Sequence, residues 1–277
     1  MRSLVVTADD FGMALEVNEA VEIAHTRGIL TAASLMVSAP ATLDAVERAR
    51  RLPSLKVGLH LVLVDGRPTL PVDQVPDLVD ATGAFHDGMT RAGIAMFVRP
   101  KVRRQVAAEI EAQFAAFAAT GLTLDHVNAH KHFHLHPTIA RCIVETGLRY
   151  GVHTVRVPDE PSAHVRRIDP TTPSSPSLWP HTALLRRRLN RSGIASADRV
   201  YGLAWSGAMT TPRLVSILQD LPPGNTEIYL HPATADRFAG SCPGYAYASE
   251  LDALTSPATL AAMAASRTRL ESTLTTA

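Results

Sequence analysis

A dense run of histidines is the part of the sequence best suited to chemistry. Five of the twelve histidines lie between His126 and His136. Neutral imidazole is the commonest metal ligand among side chains, and an uncoordinated cluster this dense would repel itself as it took up protons. In an extended segment alternate residues share a face, so His126, Asn128 and His130 are expected to point the same way. The run predicts a metal site, the alternative being hydrogen-bonded loop histidines. Not all five of His126, His130, His132, His134 and His136 can be ligands, and the pattern leaves open which of them are.

Two adjacent carboxylates, Asp9 and Asp10, follow an apolar run at residues 4–7. Neighbouring strand residues point to opposite faces, so both can serve one site only where the chain turns. Gly12 supplies the freedom for such a turn. One carboxylate could then bind a metal while the other stays free as a base. The alternative is that the pair caps a following helix.

Three more polar residues lie within or just after predicted strands. His60 interrupts an apolar run, Arg156 lies near the end of residues 153–157, and His231 follows residues 227–230. Taken singly, each has a structural explanation, such as a hydrogen-bonded core histidine for His60. Their shared position at the carboxyl ends of predicted parallel strands, where barrel active sites assemble, favours a functional role.

Short β-branched runs alternate with stretches of helical apolar spacing, which is the pattern of βαβ units around a parallel sheet. The predicted strands cover residues 4–7, 33–37, 57–63, 124–127, 153–157, 202–205 and 227–230. The predicted helices cover residues 17–26, 42–51, 102–119, 138–150 and 212–219. We therefore predict an α/β fold with about seven parallel strands. It forms a single domain over residues 1–277, with loop insertions near residues 64–96 and 158–199.

The composition excludes several classes of protein. Apolar residues make up 46% of the 277 residues and charged residues 19%, so the chain is neither disordered nor fibrous. A net charge of +1 lacks the basic excess of a general nucleic-acid binder. Cys142 and Cys242 form no C-x-x-C pair, which argues against a disulfide framework and a thiolate zinc site. Because the sequence has neither a long apolar run nor a signal-peptide pattern, we expect a cytoplasmic protein.

The motifs together resemble the YdjC family of carbohydrate deacetylases. That family combines an Asp-Asp-Phe-Gly start, a Gly-x-His strand and a His-x-His-x-His segment, found here at residues 9–12, 58–60 and 126–136. The sequence of residues 125–137 is most similar to that of the hopanoid-biosynthesis-associated branch, HpnK. The resemblance implies a deformed (β/α) TIM-like barrel. It also implies metal-dependent removal of an acetyl group from an N-acetylated sugar.

The resemblance also assigns positions. It implies that Asp10, His60 and His130 are the metal ligands and that Asp9 is the free carboxylate beside the metal. Many family members carry an acid where this chain has Asn128, so any role of that acid in orienting His130 must pass to Asn128 or be lost. The ligands suit zinc, while oxygen ligands also admit magnesium, which the resemblance suggests. We expect one divalent ion, Mg2+ or Zn2+.

The expected reaction is hydrolysis of an amide. Two imidazoles and one carboxylate leave open positions on a divalent ion, which lowers the pKa of water from about 15.7 towards about 7. Asp9 is expected to accept the proton as water attacks, and His231 to protonate the leaving amine. Arg156 is expected to hold Asp9 in place through a charge-assisted hydrogen bond.

The resemblance implies a substrate that carries N-acetylglucosamine on a hopanoid lipid. A basic, partly apolar stretch at residues 184–191 could bring the protein to the inner face of an anionic membrane, although such a run is more often a solvated helix face. Two alternatives remain: a deacetylase of soluble chito-oligosaccharides, and a non-catalytic metal- or sugar-binding barrel. A glycosidase is disfavoured because its paired carboxylates belong on opposing walls, about 5 to 10 Å apart.

Overall fold

The computed structural model describes residues 2–173, 178–266 and 268–271. The strands are β1 (Arg2–Phe11), β2 (Ala32–Leu35), β3 (Lys56–Leu61), β4 (Leu124–Ala129), β5 (Arg199–Tyr201), β6 (Gly224–Leu230) and β7 (Arg269–Leu270). They form one parallel sheet in the order β4-β3-β2-β1-β6-β5, and β7 pairs with β1. Nearly all residues of the central strands are buried, as is usual where helices cover a parallel sheet.

Helices connect and cover these strands. They are α1 (Leu15–Arg27), α2 (Thr42–Arg51), α3 (Met89–Val98), α4 (Pro100–Ala119), α5 (Pro137–Gly147), α6 (Ser162–Ile168), α7 (Trp179–Arg191), α8 (Thr211–Gln219), α9 (Tyr247–Thr255) and α10 (Pro257–Ala265). Short 3-10 segments lie at Val72–Gln74, His130–Leu135 and Leu148–Tyr150, and the second is interrupted by a kink at Lys131 and His132, whose φ angles of 52° and 54° are left-handed. Among the described helices, none combines the length and apolarity that crossing a membrane requires.

The curled parallel sheet confirms the predicted deformed (β/α) barrel. Between β4 and β5, the predicted strand 153–157 forms only two isolated bridges, Val127 with Val155 and Thr154 with Ala195. Pro158 follows at once and has no N–H group to continue the pairing. Regular strand pairing is therefore interrupted beside Arg156.

The prediction of a strand at residues 202–205 is wrong, since β5 ends at Tyr201. Gly202 has a φ of 128°, which turns the chain away from the sheet. The Glu160 carboxylate accepts hydrogen bonds of 2.8 to 3.0 Å from the N–H groups of Gly202, Leu203 and Ala204. These groups therefore bond to a side chain and not to a neighbouring strand.

The segment predicted as an insertion near residues 64–96 packs into the main core. Val75, Phe85 and Met96 from this segment are all buried in the same apolar cluster as the strands. Glu109 of α4 anchors its first part by accepting hydrogen bonds from two backbone N–H groups, at 2.8 and 3.0 Å. This anchoring fixes the chain that leaves the carboxyl end of β3, where the candidate site lies.

Candidate metal centre

Asp9 and Asp10 reach one cavity because the chain turns at the second of them. Asp10 has a left-handed backbone conformation with a φ of 63°, which is uncommon outside glycine but tolerated by aspartate. Gly12 follows with a φ of 97°. The alternation of side chains along β1 is lost at this point, and both carboxylates line the same cavity. The turn needed for a shared site is present, and it begins at Asp10 itself.

Asp10, His60 and His130 bring three donor atoms together in this cavity. The Oδ1 atom of Asp10 lies 3.2 Å from His60 Nε2 and 3.2 Å from His130 Nδ1, and the two nitrogens are 3.4 Å apart. A cation about 2.1 Å from each of three ligands needs ligand–ligand separations of about 3.0 to 3.4 Å. The three donor atoms, called the donor triangle below, therefore fit a single divalent ion.

Asn128 determines which nitrogen of His60 faces the donor triangle. Its Nδ2 donates to Asp9 Oδ1 at 2.9 Å and to Ser34 Oγ at 2.9 Å. An ionised carboxylate only accepts hydrogen bonds, so Nδ2 must face Asp9, and Oδ1 then faces His60 Nδ1 at 2.7 Å. His60 donates that bond, which leaves the lone pair of Nε2 directed at the triangle. The sequence analysis connected this position with His130, but the amide orients His60.

Behind the donor triangle, Arg156 lies between two buried carboxylates. It donates to both oxygens of Asp9, at 2.5 and 3.0 Å, and to Glu227 Oε1 at 2.7 and 3.0 Å. The three side chains are at most 5% exposed. Asp9, Arg156 and Glu227 are called the guanidinium cluster below. The bidentate geometry towards Asp9 is the arrangement that best fixes a carboxylate in place.

The guanidinium cluster keeps Asp9 ionised. Burial by itself raises the pKa of Asp9, but the charge and hydrogen bonds of Arg156 outweigh it and hold that pKa well below the usual range. Burial lowers the pKa of Arg156, and the charges of Asp9 and Glu227 more than reverse this effect. Asp9 is therefore a carboxylate, and Arg156 a cation, throughout the neutral pH range.

Burial likewise raises the pKa of Asp10, while His130 and His60 hold it well below the usual range. Asp10 is therefore also ionised at neutral pH. Its negative charge faces two imidazole nitrogens and no arginine or lysine within ion-pair distance among the described residues. An external cation is the partner that this donor set fits.

Two histidines of the dense segment have structural partners outside the triangle. His126 Nε2 lies 2.9 Å from Ser34 Oγ below the cavity. His136 Nδ1 accepts a hydrogen bond from the Thr138 N–H group at 3.2 Å and so caps α5. The predicted place of Pro137 in the first turn of that helix is confirmed.

His132 and His134 are held in neutral form beside the guanidinium cluster. Burial and the charge of His134 lower the pKa of His132 well below its usual value. Burial and the charge of Arg156 lower the pKa of His134 to about 3. His132 Nε2 lies 2.9 Å from the Tyr229 hydroxyl, and His134 Nε2 donates to the Arg156 carbonyl at 3.0 Å. Of the two, only His132 lines the cavity.

His231 enters the cavity from the other side of β1, since β6 flanks β1 opposite β2. Its backbone N–H donates to the buried Glu250 carboxylate at 2.5 Å. Its ring packs edge-on against Tyr229 and Tyr245, with centroids 5.6 and 5.4 Å away. Its buried Nδ1 atom has no hydrogen-bond partner among the described residues. The ring is thus fixed in place at the wall of the cavity.

The cavity that contains these groups has a volume of about 1660 Å3. This exceeds the roughly 300 to 1,000 Å3 of an ordinary ligand pocket. Its far wall includes Leu178, Trp179 and Leu203. Leu178 is 38% exposed and Trp179 68% exposed, so apolar side chains lie at the cavity rim.

The structure brings all six predicted site residues to one place. Five line the cavity, and Arg156 lies behind Asp9. The sequence analysis missed Glu227 and Ser34 as partners of this site. Glu227 carried a signal, because it is the only charged residue in β6 and an apolar strand rarely holds a lone acid. Ser34 lies in a short apolar strand, and nothing in the sequence around it indicated a role in the site.

The fold and site describe a parallel (β/α) barrel with a candidate divalent-metal centre at the carboxyl ends of its strands. The sequence profile of the YdjC-like protein family matches residues 3–265. This chain therefore belongs to the YdjC-like family.

Several curated relatives are similar in sequence. A carbohydrate deacetylase of Geobacillus stearothermophilus is 30% identical over 268 residues, covering 95% of this chain and 93% of that protein. A carbohydrate deacetylase of Brevibacillus brevis is 38% identical over 155 residues, covering 56% of this chain and 59% of the relative. The match with the Brevibacillus protein thus spans less than two thirds of that protein's length.

A solved structure from Enterococcus faecalis V583, provisionally assigned to cellobiose-phosphate cleavage, has a similar fold. Its TM-score is 0.77 at 24% sequence identity, with 98% of this chain and 97% of that chain covered. At this identity the likeness concerns the fold alone.

Proposed function

We propose that this protein is a metal-dependent hydrolase that removes the N-acetyl group from an N-acetylglucosamine moiety. The observation that carries the proposal is the donor triangle with the ionised Asp9 beside it, linked through Asn128. Curated relatives named carbohydrate deacetylase support the substrate class. A sugar amide needs a polarised carbonyl, an attacking water and a proton for the leaving amine, and the site has groups for each.

The metal in this proposal is one divalent ion held by Asp10, His60 and His130. Two imidazoles and one carboxylate suit Zn2+, and the carboxylate with retained waters also admits Mg2+. When bound, the ion supplies positive charge that polarises a carbonyl oxygen and acidifies water. Asn128 keeps His60 in the tautomer that such an ion needs.

Asp9 is the proposed proton acceptor. It is ionised and lies beside the donor triangle, so it can take a proton from water as the new bond to the acetyl carbon forms. Arg156 fixes both carboxylate oxygens and is a positioning residue. The same ion pair lowers the affinity of Asp9 for a proton, which favours prompt release of that proton towards the product.

His231 is the proposed proton donor. Collapse of the tetrahedral intermediate breaks the bond between the acetyl carbon and the sugar nitrogen, and the departing nitrogen needs a proton. The His231 ring lines the cavity opposite the β3 and β4 ligands, where it can reach a bound substrate. The products are acetate and the free amine of the sugar.

We propose that the substrate is a glycolipid. Its apolar part, which the family resemblance implies is a hopanoid, lies along the far wall of the cavity. Leu178, Trp179 and Leu203 on that wall and the large volume support a substrate longer than one sugar. The stretch 184–191 forms most of α7, where Arg186 donates to the Ala197 carbonyl and Leu185 and Leu189 are buried. Membrane contact through this stretch stays a prediction.

The test is acetate release by purified protein whose metal has been removed and then restored with Zn2+ or Mg2+. We expect no release from the stripped protein and faster release from an N-acetylglucosaminyl glycolipid than from N,N'-diacetylchitobiose. Equal or faster release from the chitobiose would assign the soluble substrate instead. If neither compound yields acetate while the ion is bound, the chain is a binding protein and the proposed hydrolysis is wrong.

A matched pair of variants separates chemistry from folding in this assay. Asp9→Asn should abolish most turnover, while Asp73→Asn, at an exposed position outside the cavity, should leave it unchanged.

A further inference from the structure

Helix α3 presents an apolar face to solvent. Ile94, Phe97 and Val98 are 59%, 56% and 66% exposed, and their spacing places them on one side of the helix. The opposite side is also apolar, and its Gly93 and Met96 are buried against the protein. Three adjacent exposed apolar side chains are more than the scattered single ones of an ordinary surface. This exposed side, called the α3 face below, therefore fits a partner outside the chain.

Most charged residues near the α3 face in the sequence are basic, although Asp87 precedes the helix. Residues 88–108 contain five basic residues and no acidic one. Of these, Lys101 pairs with Asp77 at 2.9 Å. Arg91 precedes the apolar residues, and Arg99 and Arg104 follow them; none of these three forms an ion pair within the described part of the chain. An apolar centre flanked by unpaired cations is the pattern of a helix that lies in the surface of an anionic membrane.

The α3 face is connected to the candidate metal centre. His136 Nε2 donates to the Gly93 carbonyl at 3.1 Å, and the ring of Phe97 packs on the ring of His136 with centroids 4.4 Å apart. His136 ends the 3-10 segment His130–Leu135, whose first residue is a corner of the donor triangle. A surface bound by α3 would thus lie next to the segment that forms one wall of the cavity.

We propose that the α3 face docks this protein onto an anionic lipid bilayer. A bilayer with negative headgroups accepts both the apolar side chains and the arginines that flank them. A second copy of this chain is the weaker fit, because in a two-fold contact the arginines of both copies would face each other. The inference does not depend on the proposed activity, since it concerns a surface outside the cavity.

The test is sedimentation of the purified chain with phosphatidylcholine vesicles, with and without phosphatidylglycerol. Binding is expected only to the vesicles that contain phosphatidylglycerol, and it should weaken as salt is added. The double variant Ile94→Ser, Val98→Ser should bind at least tenfold more weakly. Leu43→Ser, which removes an 81% exposed leucine from a different helix, should bind like the unchanged protein.

Charge variants test the same surface without altering its apolar side chains. Arg91→Gln and Arg104→Gln should each weaken binding to the anionic vesicles about fivefold. Arg27→Gln, at an exposed position on α1, is the matched control and should have no effect. The proposal is overturned if the protein binds neither vesicle, if the α3 variants bind as well as the unchanged protein, or if the Ile94→Ser, Val98→Ser change dissolves a dimer instead of a vesicle complex.

Discussion

The neighbouring residues Asp9 and Asp10 belong to two regions that solve the same electrostatic problem differently. In the guanidinium cluster, the protein supplies its own cation, since Arg156 binds both oxygens of Asp9. In the donor triangle, Asp10 faces only His60 and His130. One buried carboxylate is thus neutralised from within, and the other is arranged for a charge from outside.

The comparison shows how one short turn can place two neighbouring aspartates in different electrostatic environments. The left-handed Asp10 directs both side chains to one cavity, and Asn128 lies between the two regions. Its amide donates to Asp9 and accepts from His60, which belongs to the donor triangle with Asp10. The two carboxylates are therefore linked through hydrogen bonds and do not share a cation. The expected effects below depend on this division and are given from the largest to the smallest.

Loss of a corner of the donor triangle should have the largest effect. His130→Ala removes one of two imidazole donors, so we expect metal content and acetate release both to fall below detection. His153→Ala, at an exposed histidine away from the cavity, should change neither. Metal analysis by mass spectrometry beside the acetate assay measures both quantities. Full metal content in His130→Ala would show that this histidine is no ligand.

Asp9→Asn should separate the two regions most clearly. Removing a proton acceptor lowers turnover by about 10²- to 10⁴-fold, while the donor triangle stays intact. We therefore expect acetate release to fall by that factor with one ion still bound. Loss of metal together with activity would place Asp9 among the ligands and would end the distinction between the two aspartates.

Arg156→Met should disrupt the guanidinium cluster and so lower the stability of the folded protein. It leaves Asp9 and Glu227 buried without a cation, and breaking a buried ion pair in this way costs about 3 to 5 kcal/mol of unfolding free energy. Urea unfolding measures this loss. Arg141→Met removes a pair between half-exposed side chains, so its cost should stay below about 1 kcal/mol. Equal costs for both variants would contradict the role given to Arg156.

Asn128 links the two regions, and its replacement should weaken metal binding about 10- to 100-fold. Asn128→Leu removes the acceptor that fixes His60, so we expect the Zn2+ dissociation constant to rise by that factor. Asn128→Asp keeps an oxygen for His60 Nδ1 but places its second oxygen against the Asp9 carboxylate, so it should preserve only part of the affinity. If the leucine variant binds Zn2+ as tightly as the unchanged protein, the orienting role is wrong.

The smallest effect concerns pH. The pKa of His134 is about 3 in the folded protein against 6.5 for a free side chain. Below pH 6.5 the unfolded chain therefore binds more protons, and stability falls by about 1.4 kcal/mol for each pH unit. His134→Gln should reduce this slope between about pH 6 and 5 in urea unfolding. An unchanged slope would show that His134 is not held neutral by the cluster.

Much of the fold could be predicted from the sequence because strands buried on both faces are continuous apolar runs. The bounds of α2 were predicted correctly, as residues 42–51, because its apolar spacing is regular. The strand at residues 202–205 was wrong, since Glu160 binds the backbone there from more than 40 positions away. No local pattern contains such a contact.

The positions of the candidate site could be predicted from the sequence, and the expected hydrogen bond from Arg156 to Asp9 is present, but the further partners of these residues could not be predicted. Asp9, Asp10, His60 and His130 lie at strand ends, where type and position are informative. The second carboxylate bound by Arg156 was missed because Glu227 lies on a distant strand. Likewise, Asn128 orients His60 and not the expected His130 because of the strand register, in which His60 pairs with Asn128.

Calorimetric titration of the metal-stripped chain with Zn2+ tests the central claim most directly, with the unchanged protein, Asp9→Asn and Asp10→Ala compared side by side. We predict one ion per chain for the unchanged protein and for Asp9→Asn, and no measurable binding for Asp10→Ala. Tight binding of Zn2+ by Asp10→Ala, or several equal sites in the unchanged protein, would contradict the account.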